Sequence, residues 1–351
     1  MPRDPTERFL ANALGLRRYS NGLATQVSRI LDKHFSRAVA ELVQLDPTEV
    51  TAGYRARRIA ALDKRIKRIM KEAYAEIHAL TGTELIDLAA VQEAFAAAQL
   101  DSAISGATVT VKARTLGRMA WRSILAEDPV QGLVMKEWWT QQSRRAALMF
   151  RQQVQLGMSQ SEDIGQIVRR TRGRSLGGGR YAGGVLGTIK GNGQALVRTA
   201  VNQISNRAAL AVYEANKDIT KAYRYTATLD TRTTMLCISY DGEIFKYGLG
   251  PVPPLHWACR STIVPVIDYA GLGIKGPAVP GKRAVGRGLG TPVPATTNYG
   301  AWLRGQPAGI QDKVLGPGRA KLFRSGKVGV RDLIRSDGST ISLVELRAAV
   351  A

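Results

Sequence analysis

Several residue types are scarce in this chain. It has only two cysteines, Cys237 and Cys259, which excludes a disulfide scaffold. Its three histidines are His34, His78 and His256. Most histidine-based chemistry is thereby excluded, and no HExxH, GxSxG, GxxxxGK[ST] or CxxC motif occurs. No apolar run reaches the roughly 18 residues needed to read as a membrane span. The start, Met1-Pro-Arg-Asp-Pro-Thr-Glu-Arg8, has no apolar segment after a basic one, so no secretory leader is expected and a reducing cytoplasm is. Acidic residues are the other deficit. There are 28 of them against 50 Lys and Arg, a formal charge of +22. An imbalance of that size points to a polyanionic partner, nucleic acid or an anionic surface. The 351 residues are 44% hydrophobic and 22% charged, enough for a packed core and about two domains.

Residues 1–163 read as a helical domain. From Leu23 to Leu45 apolar residues recur at helical spacing, at Val27, Ile30, Leu31, Phe35, Ala38, Val39 and Leu42. Asp46-Pro47-Thr48-Glu49 carries a helix-start pattern. The helix it opens is expected to stop at Thr81-Gly82, with another from Glu84 to Leu100. Asp128-Pro129 marks a further start, running through Trp138 to Gly157. Residues 164–193 hold ten glycines and no acid, which predicts a flexible basic linker. Residues 194–269 are expected to form an α+β core. In it, a helix runs to Asn216, a strand follows from Lys221, and Asp241-Gly242 turns a β-hairpin. Residues 270–298, rich in Gly and Pro, read as an extended arm, and 299–351 as a small closing unit. The fold class is therefore α+β with a mainly helical N-terminal half and a basic tail.

Eight cations, Arg55, Arg57, Arg58, Lys64, Arg65, Lys67, Arg68 and Lys71, are opposed in their stretch only by Asp63. Arg169, Arg170, Arg172 and Arg174 continue the bias, and residues 268–351 hold 13 Lys or Arg against 5 acids. Such a face suits DNA phosphates without base readout. Its bland alternative is a solvated helix face. Trp121, Trp138 and Trp139 lie among arginines, but at helical spacing they read as core or interface rather than base-stacking residues. The glycine-rich stretch lacks the strand and lysine of a phosphate cradle.

The most specific cluster is Cys237, followed at a distance by His256-Trp-Ala-Cys259. A tetrahedral zinc site uses such donors but needs four, and only three are evident. Two packed thiols beside a packed histidine are the alternative. Asp230 and Asp241 are the nearest carboxylates in sequence, with Asp230 a turn or cap residue before Thr231.

Taken together, Arg198-Thr199, Asn202, Asn206-Arg207, Tyr213, Ala227 to Thr233, Cys237, Asp241-Gly242, Phe245, Pro253-Pro254, His256 and Cys259-Arg260 resemble the phage minor head protein family. These are head morphogenesis proteins similar to the F protein of phage Mu. The later run Tyr299 to Pro307, with Gln311-Asp312, Val314 to Gly316 and Leu322-Phe323, resembles the tail that follows that core. Many such relatives carry a cysteine where Thr234 stands and another where Ser261 stands. The resemblance implies a non-enzymatic virion protein inside the head. Its partners would be the portal protein, a major capsid or scaffolding protein, and double-stranded DNA bound non-specifically, with assembly in the host cytoplasm. Cys237, His256, Cys259, Asp230 and Asp241 would then form a fold-stabilising corner together with Arg198, Arg232 and Arg260. Cys237, His256 and Cys259 are its metal candidates, and structural zinc is left open beside packing. Two other readings stand: a metal-dependent nuclease or hydrolase with His256 as base, and a DNA-condensing protein with no capsid role.

Overall fold

The computed structural model describes residues 4–44, 52–112, 116–177 and 180–350. The chain opens with two long helices, α1 (Pro5–Val43) and α2 (Ala52–Ala103). After them come α3 (Gly117–Glu127), α4 (Met135–Ser159) and α5 (Ile164–Arg172). Strands β1 (Arg174–Gly177) and β2 (Arg180–Ala182) lead into α6 (Gly184–Ala215). Next are β3 (Thr220–Thr226), α7 (Met235–Tyr240), β4 (Ile244–Lys246) and β5 (Thr262–Ile267). The chain ends with β6 (Lys282–Arg283), β7 (Val293–Pro294), α8 (Tyr299–Arg304), α9 (Ala308–Leu315), α10 (Pro317–Arg324) and α11 (Leu343–Ala349). This is an α+β fold with a helical N-terminal half. No helix among the described residues is long and apolar enough to cross a membrane.

The chain folds as two units, one of Met1–Arg18, Leu88–Gly117 and Val201–Ala351, the other of Tyr19–Asp87 and Arg118–Ala200. Among its described residues the second unit is helical, with β1 and β2 paired antiparallel. Phe35 of α1 meets Phe150 of α4 edge-on at 5.5 Å, and Tyr74 of α2 meets Trp139 of α4 at 6.1 Å. Trp121 and Trp139 are buried, as a core reading of the tryptophans requires. At Gly193 a Cβ would lie 3.3 Å from Val27, so the missing side chain lets α6 approach α1.

Three sequence expectations in this half need correction, and a fourth, the helix start at 46–49, lies outside the described residues. Thr81-Gly82 does not stop α2, because the Thr81 hydroxyl donates to the Ile77 carbonyl at 2.8 Å and accepts the Trp139 indole N–H at 3.3 Å. The cost of one helical glycine, about 1 kcal/mol, is outweighed by the burial of Ile77, Leu85 and Ala89 around it. Helix α4 begins at Met135 rather than Asp128, since Val130 and Leu133 first form a bridge. The glycine-rich stretch is structured over its described residues, 164–177 and 180–193. Asp163 and Gln166 close a capping box on α5, β1 pairs with β2, and α6 starts ten residues before Gln194. Two of its glycines serve close backbone approach. A Cβ on Gly173 would collide with the Ala182 carbonyl and one on Gly184 with the Gly173 amide, and both residues have positive φ.

In the first unit β3 is the centre of a three-stranded antiparallel sheet, order β4-β3-β5. Asn206 of α6 covers the edge of β5, its side-chain oxygen accepting from the Ile263 amide at 3.1 Å. Asn202 donates to the Ser261 carbonyl at 2.9 Å. Phe9 packs edge-on against Phe95 and Tyr213, which joins the start of α1, the end of α2 and the end of α6 over the sheet.

The hairpin expected at Asp241-Gly242 does not form. Its first arm is helix α7, in which Cys237, Ile238 and Ser239 are buried in succession, a pattern that an alternating strand could not produce. The stretch 270–298 is not a free arm: Arg283 and Ala295 are buried, and Gly286 donates to the Leu229 carbonyl. Residues 299–351 share their core with the sheet region, since Tyr299, Trp302 and Phe323 cluster with Leu229 and Ile238.

Candidate metal centre

The corner is built from two chain segments. Helix α7 supplies Cys237, and the turn after Pro253-Pro254 supplies His256 and Cys259, closed by the Cys259 amide donating to the His256 carbonyl at 3.2 Å. Among the described residues these three form the one group whose donor atoms could share a metal ion, all within 4.8 Å of one another. Both thiols are buried and free, and the imidazole is half-buried. The Cys237 and Cys259 sulfurs are 3.7 Å apart, far beyond the roughly 2.05 Å of a disulfide. His256 Nε2 lies 3.2 Å from the Cys237 sulfur. Its Nδ1 donates to the Trp257 carbonyl at 3.0 Å, which fixes the ring and turns Nε2 toward the sulfurs.

Hydrogen bonds from Cys237 and then His256 hold Cys259 down to about 3, against burial. The bond to Cys259, with burial, pushes Cys237 well up. Cys259 in turn raises His256. Tyr225 donates its hydroxyl to the Cys237 sulfur at 3.2 Å, and Ser261 is buried close to that sulfur.

These donors fit zinc. With Zn–S near 2.3 Å, tetrahedral geometry sets two thiolates about 3.8 Å apart. The fourth position falls to neither carboxylate. Arg260 grips Asp230 with both guanidinium nitrogens, one at 2.8 Å, while the Arg232 amide at 3.0 Å and the Thr233 hydroxyl at 3.2 Å add further bonds. Burial alone would raise the Asp230 pKa, yet Arg260 and these other donors hold it below its ordinary value. Asp241 is fully buried and accepts from Arg283 at 2.7 and 3.0 Å, from the Ala227 amide at 2.6 Å and from the Tyr299 amide at 2.5 Å. Each aspartate fastens one strand of chain to another, beside the sulfurs rather than among them.

Residues 148–264 match the family model of Phage Mu protein F like proteins. The matched segment runs from within α4 into β5 and holds Asp230, Cys237, Asp241, His256, Cys259 and Arg260. It overlaps the region where the residue-by-residue resemblance is most specific. No curated protein and no solved structure matches the chain.

Arg260 is where the sequence put it, but Arg198 is not. Arg198 sits in the other unit and bonds Asn21 at 3.0 Å. Sequence reading missed Arg283, Tyr299 and Arg17. Arg17 donates to the Thr228 hydroxyl, and burial, then Arg260, lowers its guanidinium to about 10. Nothing near Arg283 signals a partner 42 residues away.

The twelve cations named from the sequence belong to the second unit, whereas those of residues 268–351 belong to the first. Arg57, Lys64, Arg65, Lys67, Arg68, Lys71, Arg169 and Arg174 are exposed, Arg58 is half-buried, and of Arg55 only its place in α2 is described. Arg65 pairs with Glu41 and Lys67 with Asp63. Arg170 pairs with Glu162, and Arg172 stacks on Tyr181 at 4.2 Å. Lys64, Arg68 and Lys71, at spacings of four and three, share one helix face.

Proposed function

We propose that the chain is a phage head morphogenesis protein. It acts as a minor structural component inside the head, touching portal or capsid protein and the packaged DNA. The match of residues 148–264 to the Phage Mu F like family carries this reading. The charge of +22 supports it independently, since a cationic protein enclosed with DNA neutralises phosphates and releases counterions. Lys64, Arg68, Lys71, Arg169 and Arg174 are the exposed cations most open to phosphate. The experiment is co-purification with portal and capsid protein at high salt. Retention is expected, and loss at the salt that strips DNA leaves only the DNA-condensing alternative.

The corner serves the fold. Cys237, His256 and Cys259 would hold a zinc ion, with Ser261 or a water in fourth place, and the ion would crosslink α7 to the 256–259 turn. Reduced, purified protein should carry one zinc per chain, and metal-free protein of normal stability removes the ion from this reading. A hydrolase using His256 as base would need Asp230 or Asp241 for its cation. The arginines that saturate both carboxylates weigh against that alternative.

A further inference from the structure

The second unit contains a cleft of about 350 Å³, within the size range of small-molecule sites. It lies where the middle of α2, the second half of α3 and the first turn of α4 converge, and every lining residue belongs to that unit. Its wall is apolar, with Leu85, Ile86 and Leu125 prominent. At Gly82 a Cβ would meet nothing within 4 Å, so α2 leaves open space there.

Three basic side chains line the same cleft, His78, Arg122 and Lys136, and no carboxylate does. Arg122 and Lys136 are exposed at the rim. His78 Nδ1 is shut away from solvent and has no hydrogen-bond partner among the described residues. Burial, with Lys136 nearby, holds the imidazole below its ordinary pKa. Helix α4 starts at the cleft without a side-chain cap, so its first amides add positive potential to that of Lys136. Cations around an apolar wall form the wrong surface for a DNA backbone, which offers charge but no apolar body.

We propose that this cleft binds an anionic amphiphile, an apolar body seated on Leu85, Ile86 and Leu125 with one carboxylate at Arg122 and Lys136. The site is separate from the corner and does not depend on the head-protein reading. A free amphiphile and the C-terminal carboxylate of an apolar peptide present the same chemistry.

Calorimetric titration of the full chain tests it with three probes: decanoate below its micelle concentration, decanol, and a tetrapeptide ending in Leu-Leu with a free carboxylate. Saturable binding of decanoate or the peptide at one per chain is expected, with decanol weaker. Arg122→Ala and Lys136→Ala should each weaken it roughly tenfold, the scale of one charge-assisted hydrogen bond. Ala126→Trp, at an exposed position lining the cleft, should abolish it. Tighter decanoate binding assigns the natural ligand to free amphiphiles, and tighter peptide binding to a chain terminus. The proposal is overturned if neither probe saturates, if decanol binds as well as decanoate, or if binding ignores all three substitutions.

Discussion

The two units rely on different chemistry. In the first, two buried aspartates are each saturated by a distant arginine and by backbone amides, Asp230 by that of nearby Arg232 and Asp241 by those of Ala227 and Tyr299. In the second, aromatic and aliphatic side chains fill the spaces between long helices, and ion pairs such as Arg65–Glu41 are solvent-exposed. The first unit therefore depends on particular partners, whereas the charges of the second can change with little effect on its stability. That freedom leaves the helical unit able to carry its cations for another molecule.

The sharpest break of this contrast is Arg283→Met. It strands the Asp241 carboxylate in a dry interior, a loss of about 3–5 kcal/mol. Arg65→Met in the helical unit should cost less than about 1 kcal/mol. Urea unfolding of the two variants compares them directly, and equal losses would abolish the distinction.

Arg260→Met is next, at about 2–4 kcal/mol, because Asp230 retains the Arg232 amide and the Thr233 hydroxyl. It also has a pH signature. The folded-state pKa of Asp230 is depressed, so its contribution is complete above the unfolded value near 3.9. That contribution disappears as pH falls through the lower folded value. Wild-type stability should drop in this window below about pH 4, and the variant, which has already lost the pairing, should show a shallower drop there.

Ser261→Cys sharpens the comparison at the corner. A thiolate beside Cys237 completes a four-donor set, so zinc affinity should rise at least roughly tenfold in a chelator competition. Unchanged affinity would place the fourth ligand elsewhere. The smallest stability effect belongs to the triple change Lys64→Ala, Arg68→Ala, Lys71→Ala, within about 0.5 kcal/mol. The same variant should reduce the slope of log affinity for duplex DNA against log salt by about 2–3. An unaltered slope would mean that this face does not meet phosphate.

Much of this was legible in the sequence. The apolar spacing of Val27 to Leu42 marked α1, the alternation after Lys221 marked β3, and Cys237 with His256 and Cys259 marked the corner. The rest lies in tertiary packing. Cys237-Ile-Ser-Tyr240 has strand-prone residues, but burial of Cys237 in the corner and of Ile238 against the closing helices makes it helical. Glycine density between 164 and 193 signals flexibility in isolation, while here it permits backbone contact between Gly173 and Gly184. Arg283 lies in a Gly/Pro-rich stretch that sequence reads as a loose arm, and only its contact with Asp241 makes it part of the core.

The proposed function requires incorporation into a phage head rather than mere attraction to DNA. It is tested most directly by washing purified, nuclease-treated heads of the parent phage with 1 M salt and quantifying the protein left in them. Retention at a fixed, low number of copies per head is the expected result. Complete release into the wash, with portal and capsid proteins retained, would contradict it.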